Sequence, residues 1–207
     1  MAKNSYNQSV FINCPFDDEF KPLFRAAVFT VLRCGYTPRS AQELEDSSEP
    51  RLNKIFQIIE ECRYGIHDLS RVELDDGLPR FNMPFELGLF FGAKRYGNEE
   101  QGRKSCLIFE RNAHSYERFI SDIKGQDVAT HENKPKVLIR RIRDWLSTNK
   151  RRRSLPGGAA LWHEYTKFKR WLPIKCREED LKDRELTWDD YLNLLYKWVE
   201  DGSSGYS

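Results

Sequence analysis

Along the first 150 residues, short apolar runs alternate with longer stretches in which apolar positions recur every three or four residues. That alternation predicts the strands of a parallel sheet joined by crossover helices. Ser9-Val10-Phe11-Ile12-Asn13-Cys14 reads as a buried first strand, broken by Pro15-Phe16-Asp17-Asp18. A helix is expected over residues 19–34, its inner face carrying Phe20, Leu23, Phe24, Ala27, Val28 and Val31, with Gly35 as its stop. Residues 36–40 form a second strand. A polar loop, AQELEDSSEP, leads to a helix over residues 50–62 that Ser47 or Ser48 caps and that turns Leu52, Ile55, Ile58 and Ile59 to one side. The pattern continues with a third strand at 64–69, a helix at 84–94, a fourth strand at 105–109, an edge strand near 127–130 and a helix including 137–145. The fold class is α/β: a doubly wound, mainly parallel sheet with helices on both faces.

Beyond Leu155-Pro156-Gly157-Gly158, a turn signal, the chain reads as two helices at 161–172 and 188–199. This tail holds Trp162, Trp171, Trp188 and Trp198, and interleaved aromatics beside charge can stack bases. Here, however, Tyr165, Phe168 and Trp171, and likewise Tyr191, Leu195 and Trp198, recur at helical spacing. They read as docking faces for the domain or for another subunit. The expected organisation is a domain over 1–149 and a helical, aromatic-rich C-terminal extension over 150–207.

Composition narrows the function classes. The 207 residues are 39% hydrophobic and 32% charged, which fills a core and keeps a polar surface. No apolar run reaches the length of a membrane span, and the N-terminus has no export signal, so a cytoplasmic protein is expected. Five scattered cysteines without a CxxC pair read as reduced thiols rather than a zinc site. Net charge is +2, short of the excess that sequence-independent nucleic-acid binding draws on. Charge is nevertheless uneven: residues 134–153 are basic and 178–201 acidic, and the two segments are expected to neutralise each other. The run Lys150-Arg151-Arg152-Arg153 also reads as a patch for a partner or phosphate.

In an open parallel sheet, ligands bind outside the carboxyl ends of the strands. That rule selects the loops at 13–18, 68–84 and 110–116. In the second loop, Asp68, Leu69 and Ser70 end a strand and Asp75 and Asp76 follow, before a helix opening at Pro84. Glu86 then stands among Phe85, Leu87, Leu89, Phe90 and Phe91, an unusual setting for a carboxylate. It either caps the helix through the macrodipole or serves a pocket. Gly88 and Gly92, four apart, favour a pocket, since they suggest a helix packed tightly on the sheet. A second polar cluster holds Asp122, Gly125, Asp127 and His131, in which His131 could donate a proton or contact phosphate. His67 should point to the opposite side of the sheet from Asp68.

These segments also carry a resemblance. SVFINCPFDDEF resembles the first-strand box of Toll/interleukin-1 receptor (TIR) domains. FNMPFELGLFFGAKRYG resembles the Glu-Leu-Gly motif of nucleoside 2-deoxyribosyltransferases, which share a flavodoxin-like fold. The resemblance spans roughly residues 9–145. The sequence departs from it at Phe81-Asn82-Met83-Pro84, where the transferases commonly have Gly-Thr, and in lacking the tryptophan that precedes the TIR glutamate.

The resemblance implies that Glu86 is a catalytic carboxylate acting at the ribose C1′. Asp68, Ser70 and Asn82 would bind ribose hydroxyls, while Asn13 and Phe16 line the opposite wall and Phe16 stacks a ring. The implied activity is N-glycosidic cleavage of a nucleotide, with NAD+ as substrate rather than cofactor. Self-association, often in antiviral defence or nucleotide signalling, is implied as well. Two other classes remain open: a noncatalytic nucleotide sensor or adaptor whose tail binds a protein partner, and base exchange between deoxyribonucleosides. The absence of GxxxxGK[ST], of GxGxxG after a strand and of GxSxG turns the reading away from nucleoside triphosphatases, ordinary dinucleotide oxidoreductases and acyl-transfer enzymes.

Overall fold

A computed structural model describes residues 6–43, 48–71, 74–75, 78–149 and 154–200. The first strand, β1 (Ser9–Asn13), is buried at all five positions, as a strand covered on both faces must be. It feeds α1 (Lys21–Arg33), which ends where predicted: Gly35 takes a left-handed φ of 75°. The Gly35 N–H bonds Leu32 O at 2.8 Å and the Tyr36 N–H bonds Val31 O at 3.1 Å, so the helix's last free carbonyls are satisfied. Then follow β2 (Thr37–Arg39), α2 (Arg51–Glu61), β3 (Tyr64–Asp68) and a two-strand antiparallel ribbon, β4 (Leu74–Asp75) with β5 (Leu78–Pro79). The domain continues with α3 (Asn82–Tyr96), β6 (Ser105–Glu110), β7 (Val128–Thr130) and α4 (Pro135–Asn149). The tail forms α5 (Gly158–Glu178) and α6 (Trp188–Glu200).

The central sheet is wholly parallel, in the order β2-β1-β3-β6-β7, the doubly wound order of the flavodoxin-like fold. Strand order reverses between β1 and β3, which places a crevice at their carboxyl ends. Side chains alternate across the sheet with period two. Val10, Ile12, Tyr64, Ile66 and Phe109 pack under α1 and α4. Phe11 packs on the other face with Ile55, Ile58 and Ile59 of α2 and Phe90 of α3.

Leu161, Tyr165, Phe168, Trp171 and Leu172 of α5 and Tyr191, Leu195 and Trp198 of α6 join the same core as α1. The predicted aromatic faces therefore dock on the chain's own domain. Eight of the thirteen α1 residues are buried, so α1 is a middle layer rather than an outer one. Polar contacts pin the tail to it: Arg25 to Asp183 at 2.7 Å, Arg33 to Glu164 at 2.6 Å, and the Tyr191 hydroxyl to Arg25 O at 3.1 Å.

Several expectations are corrected. The N-cap position of α2 is Pro50, with no side-chain cap, and Ser47 lies outside the described residues. Leu52 turns outward from α2, 40% exposed. Helix α3 starts two residues before Pro84, which is possible because a proline in the first turn gives up an N–H that has no helical partner. A Cβ added at Gly88 or Gly92 would meet nothing within 4 Å, so neither marks a close approach. The glycine that does is Gly65 on β3, where a Cβ would stand 2.6 Å from His67 Nε2 and 3.0 Å from the Phe90 ring. Among the described residues no ion pair joins the basic 134–153 segment to the acidic 178–201 segment. Asp183 and Glu179 instead pair with Arg25 and Lys197. Lys150 to Arg153 lie outside the described residues. No helix among them is long and apolar enough to cross a membrane.

Candidate functional site

At the carboxyl ends of β1 and β3, on the α2 and α3 side, lies a cleft of about 440 Å³. Its walls come from the first two of the three loops singled out in the sequence. Asn13, Phe16 and Asp17 stand on one side, Arg80, Asn82 and Glu86 on the other, and Arg51 opens α2 at the rim. The third loop stays outside the lining and contributes Arg111, 3.8 Å from Glu19.

Glu86 is the fifth residue of α3, past the turn whose N–H groups a carboxylate could cap, and α3 has no side-chain cap. Capping is therefore not its role. The residue is only 7% exposed, with Leu87 and Phe90 buried beside it and Phe85 turned outward. Burial pushes its carboxyl up to about 7, and the charge of Arg51 pulls the other way. No described side chain hydrogen-bonds it. A carboxyl that is part-ionised at neutral pH and faces a cleft has the proton affinity of a general acid or base.

Asn13 sits opposite His67 in the β1–β3 register, which puts the two side chains on one face. The Asn13 amide donates to Met83 O at 2.9 Å and lies 3.0 Å from His67 Nδ1. Both amide hydrogens are then spent, and the carbonyl oxygen remains as an acceptor suited to a ligand hydroxyl or N–H. His67 must accept at Nδ1 and carry its proton on Nε2. Burial between Phe11 and Phe90 pushes its ring down to about 3, so it stays neutral. His67 thus orients Asn13, and it faces away from Asp68 as expected.

Asp17 ties the loops together. Its Oδ1 accepts from Phe20 N at 2.9 Å, which turns the chain into α1, and its carboxylate pairs with Arg71 at 3.3 Å and Arg80 at 3.2 Å. Arg71 also pairs with Glu19. The segments that follow β1 and β3 are thereby held across the crevice by a charge network, and no signal in the sequence pointed to these arginines or to Arg51.

Of the nominated residues, Asn13, Phe16, Asn82 and Glu86 meet in the cleft. Asp68, Ser70 and His131 form a separate buried cluster on the α1 side of the sheet, because Asp68 is one residue out of phase with His67. Ser70 N–H donates to Asp68 Oδ1 at 2.9 Å, and His131 Nε2 lies 2.8 Å from Ser70 Oγ and 3.1 Å from Asp68 Oδ2. The chain turns through left-handed Glu132 and Asn133 to bring Asn133 N–H onto His131 Nδ1 at 3.0 Å. With Nδ1 accepting, Nε2 is the protonated nitrogen and cannot take a proton from Ser70. The cluster is a clamp between strand ends, not a nucleophile and its base. Asp122 and Asp127 are exposed on the segment between β6 and β7 and do not line the cleft. Asp75 has no described side chain and Asp76 lies outside the described residues.

Two further buried groups lie near the strand ends, Glu110, which the sequence did not single out, and Cys14, which ends the predicted first strand. Glu110, at the end of β6, accepts from His114 N, Ser115 Oγ and Tyr116 N and so folds the loop that follows. Cys14 is a buried thiol held well above its usual range by burial and by Asp68 and Glu86, which leaves it a poor nucleophile. Among the described residues no three His, Cys, Asp or Glu side chains gather as a metal site. Comparison with protein-family models and with curated proteins returns no match to this chain.

Proposed function

We propose that the cleft binds a nucleotide and cleaves its N-glycosidic bond, with Glu86 as the catalytic carboxylate and NAD+ as the substrate. The observation that carries this reading is a buried, uncapped carboxyl on the cleft wall whose proton affinity has moved to neutrality. A desolvated carboxylate is offset best by a cation, and the pyridinium ring of NAD+ brings one beside the ribose. Arg51 and Arg80 supply positive charge for the phosphates, and the Asn13 carbonyl accepts a ribose hydroxyl.

The chemistry balances without a further reagent. The C1′–N bond breaks, its electron pair neutralises the pyridinium, and the oxocarbenium-like centre develops opposite the Glu86 carboxylate. Water then adds to C1′ and yields its proton to Glu86. The motif resemblance points to the same residue and reaction. A binding-only reading draws on one observation: among the described residues no side chain orients Glu86 by a hydrogen bond.

Incubation of the full chain with NAD+ and with a panel of deoxyribonucleosides, followed by chromatography, separates these readings. Nicotinamide release that disappears in Glu86→Gln, with the fold retained, is expected. Full activity in that variant refutes the mechanism. NAD+ binding without turnover leaves the sensor, and exchange between nucleosides leaves the transferase.

A further inference from the structure

The cleft does not end at Phe16. A second, partly open cavity of about 120 Å³ shares Pro15, Phe16 and Asp17 with it and is lined farther on by Phe24, Gln42 and Trp188, with Lys21 and Arg25 adding positive charge. A cavity of that size takes several waters, or one planar heterocycle in their place. Phe16 is the partition. Its ring packs edge-on against Phe24, with centroids 5.5 Å apart and planes at 84°, and Phe24 in turn leans on Trp188 at 5.7 Å. The Phe16 ring remains 40% exposed, so it has surface to give to a stacked ligand. Gln42 brings an amide, which offers both a donor and an acceptor to a heterocycle edge. Trp188 is fixed because α6 starts in a reciprocal cap, with Thr187 N donating to Asp190 Oδ2 at 3.1 Å and Asp190 N to Thr187 Oγ1 at 3.2 Å.

We propose that this compartment is a second ring-binding subsite, so that the ligand of the cleft is a dinucleotide straddling Phe16. One nucleoside lies at Glu86, the phosphates pass Arg51 and Arg80, and the distal base enters between the β1–α1 loop and α6. The inference rests on the nucleotide reading of the cleft and deepens it. It gives the C-terminal extension a part in specificity: α6 builds the wall that a mononucleotide never reaches.

The test uses the full-length Glu86→Gln protein, which is not expected to turn over, titrated calorimetrically with NAD+ and with nicotinamide mononucleotide. NAD+ should bind at least tenfold more tightly. Adding Gln42→Trp, whose indole occupies the compartment, should lower the NAD+ affinity to that of the mononucleotide and leave the mononucleotide affinity unchanged. Gln42→Ala, which empties rather than fills, should keep the preference to within about threefold. If a thermal melt shows that the tryptophan is not accommodated, Gln42→Phe is read the same way. Equal affinities in the parent, or a persistent preference once the compartment is filled, overturn the subsite and leave the cleft reading intact. Absence of binding by either ligand overturns both.

Discussion

Replacing Glu86 with glutamine should change how stability depends on pH, independently of any activity. The folded carboxyl is displaced from near 4.5 to about 7 by burial. Between those values the folded chain keeps a proton that the unfolded chain has released, so this stabilisation is fully present below about pH 4.5 and is lost as pH rises through 7. At roughly 1.4 kcal/mol for each tenfold change in proton affinity, the loss is about 3 kcal/mol. Glutamine is nearly isosteric, never ionises and breaks no hydrogen bond of the described residues. Urea denaturation at pH 4.5 should give similar stabilities for the two proteins. At pH 8 the variant should be more stable by about 3 kcal/mol, which for a chain of this size is roughly 6–12 °C in melting temperature. Parallel stability curves across this range would show that Glu86 is not desolvated, and the catalytic reading would go with it.

Other perturbations test the packing around the site. Gly65→Ala should cost about 1–3 kcal/mol in a thermal or chemical melt, because its Cβ has no room beside His67 and Phe90. Gly88→Ala, mid-helix with open space around it, should stabilise by roughly 0.5–1 kcal/mol; a loss there would contradict the geometry. Glu110→Gln replaces an acceptor oxygen with a donor facing backbone N–H groups. It should cost about 1–3 kcal/mol and speed amide exchange at His114 and Tyr116 ahead of the rest of the chain. Trp198→Ala should cost about 3–5 kcal/mol in a single cooperative transition, whereas an early separate melt of the tail would show that α5 and α6 do not share the domain core.

Periodicity made the layer structure legible because it is a local property. The buried β1 run, the helix stop at Gly35 and the aromatic spacing of the tail each needed only a few neighbouring residues. Pro84 misled for a local reason too: proline marks a first helical turn without saying which position in that turn it fills. Glu86 stood out as a lone acid in an apolar segment. Its supporting residues did not: Arg51 and Arg80 come to the cleft through loop closure, and the side of the sheet taken by His67 was legible but its bond to Asn13 follows from strand register, which no short window of sequence records. The same limit explains Asp68, Ser70 and His131. All three lie at or just past strand ends as nominated, but the phase of one residue decides which side of the sheet they serve, and they serve the other side. Gln42 and Trp188 lie almost 150 positions apart and meet only because α6 folds back over the β1–α1 loop.

The placement of α1 in the middle of the molecule bears on how the cleft keeps its shape. In a three-layer sandwich the helix after the first strand has a wet flank and can shift or fray as ligands come and go. With α5 and α6 stacked outside it, that freedom is removed, and the turn carrying Phe16 and Asp17 is braced from behind as a wall is by a buttress. A polypeptide trimmed near residue 150 would bare Phe29, Phe24 and their neighbours to water. It would surrender solubility and the rigidity of its binding mouth together.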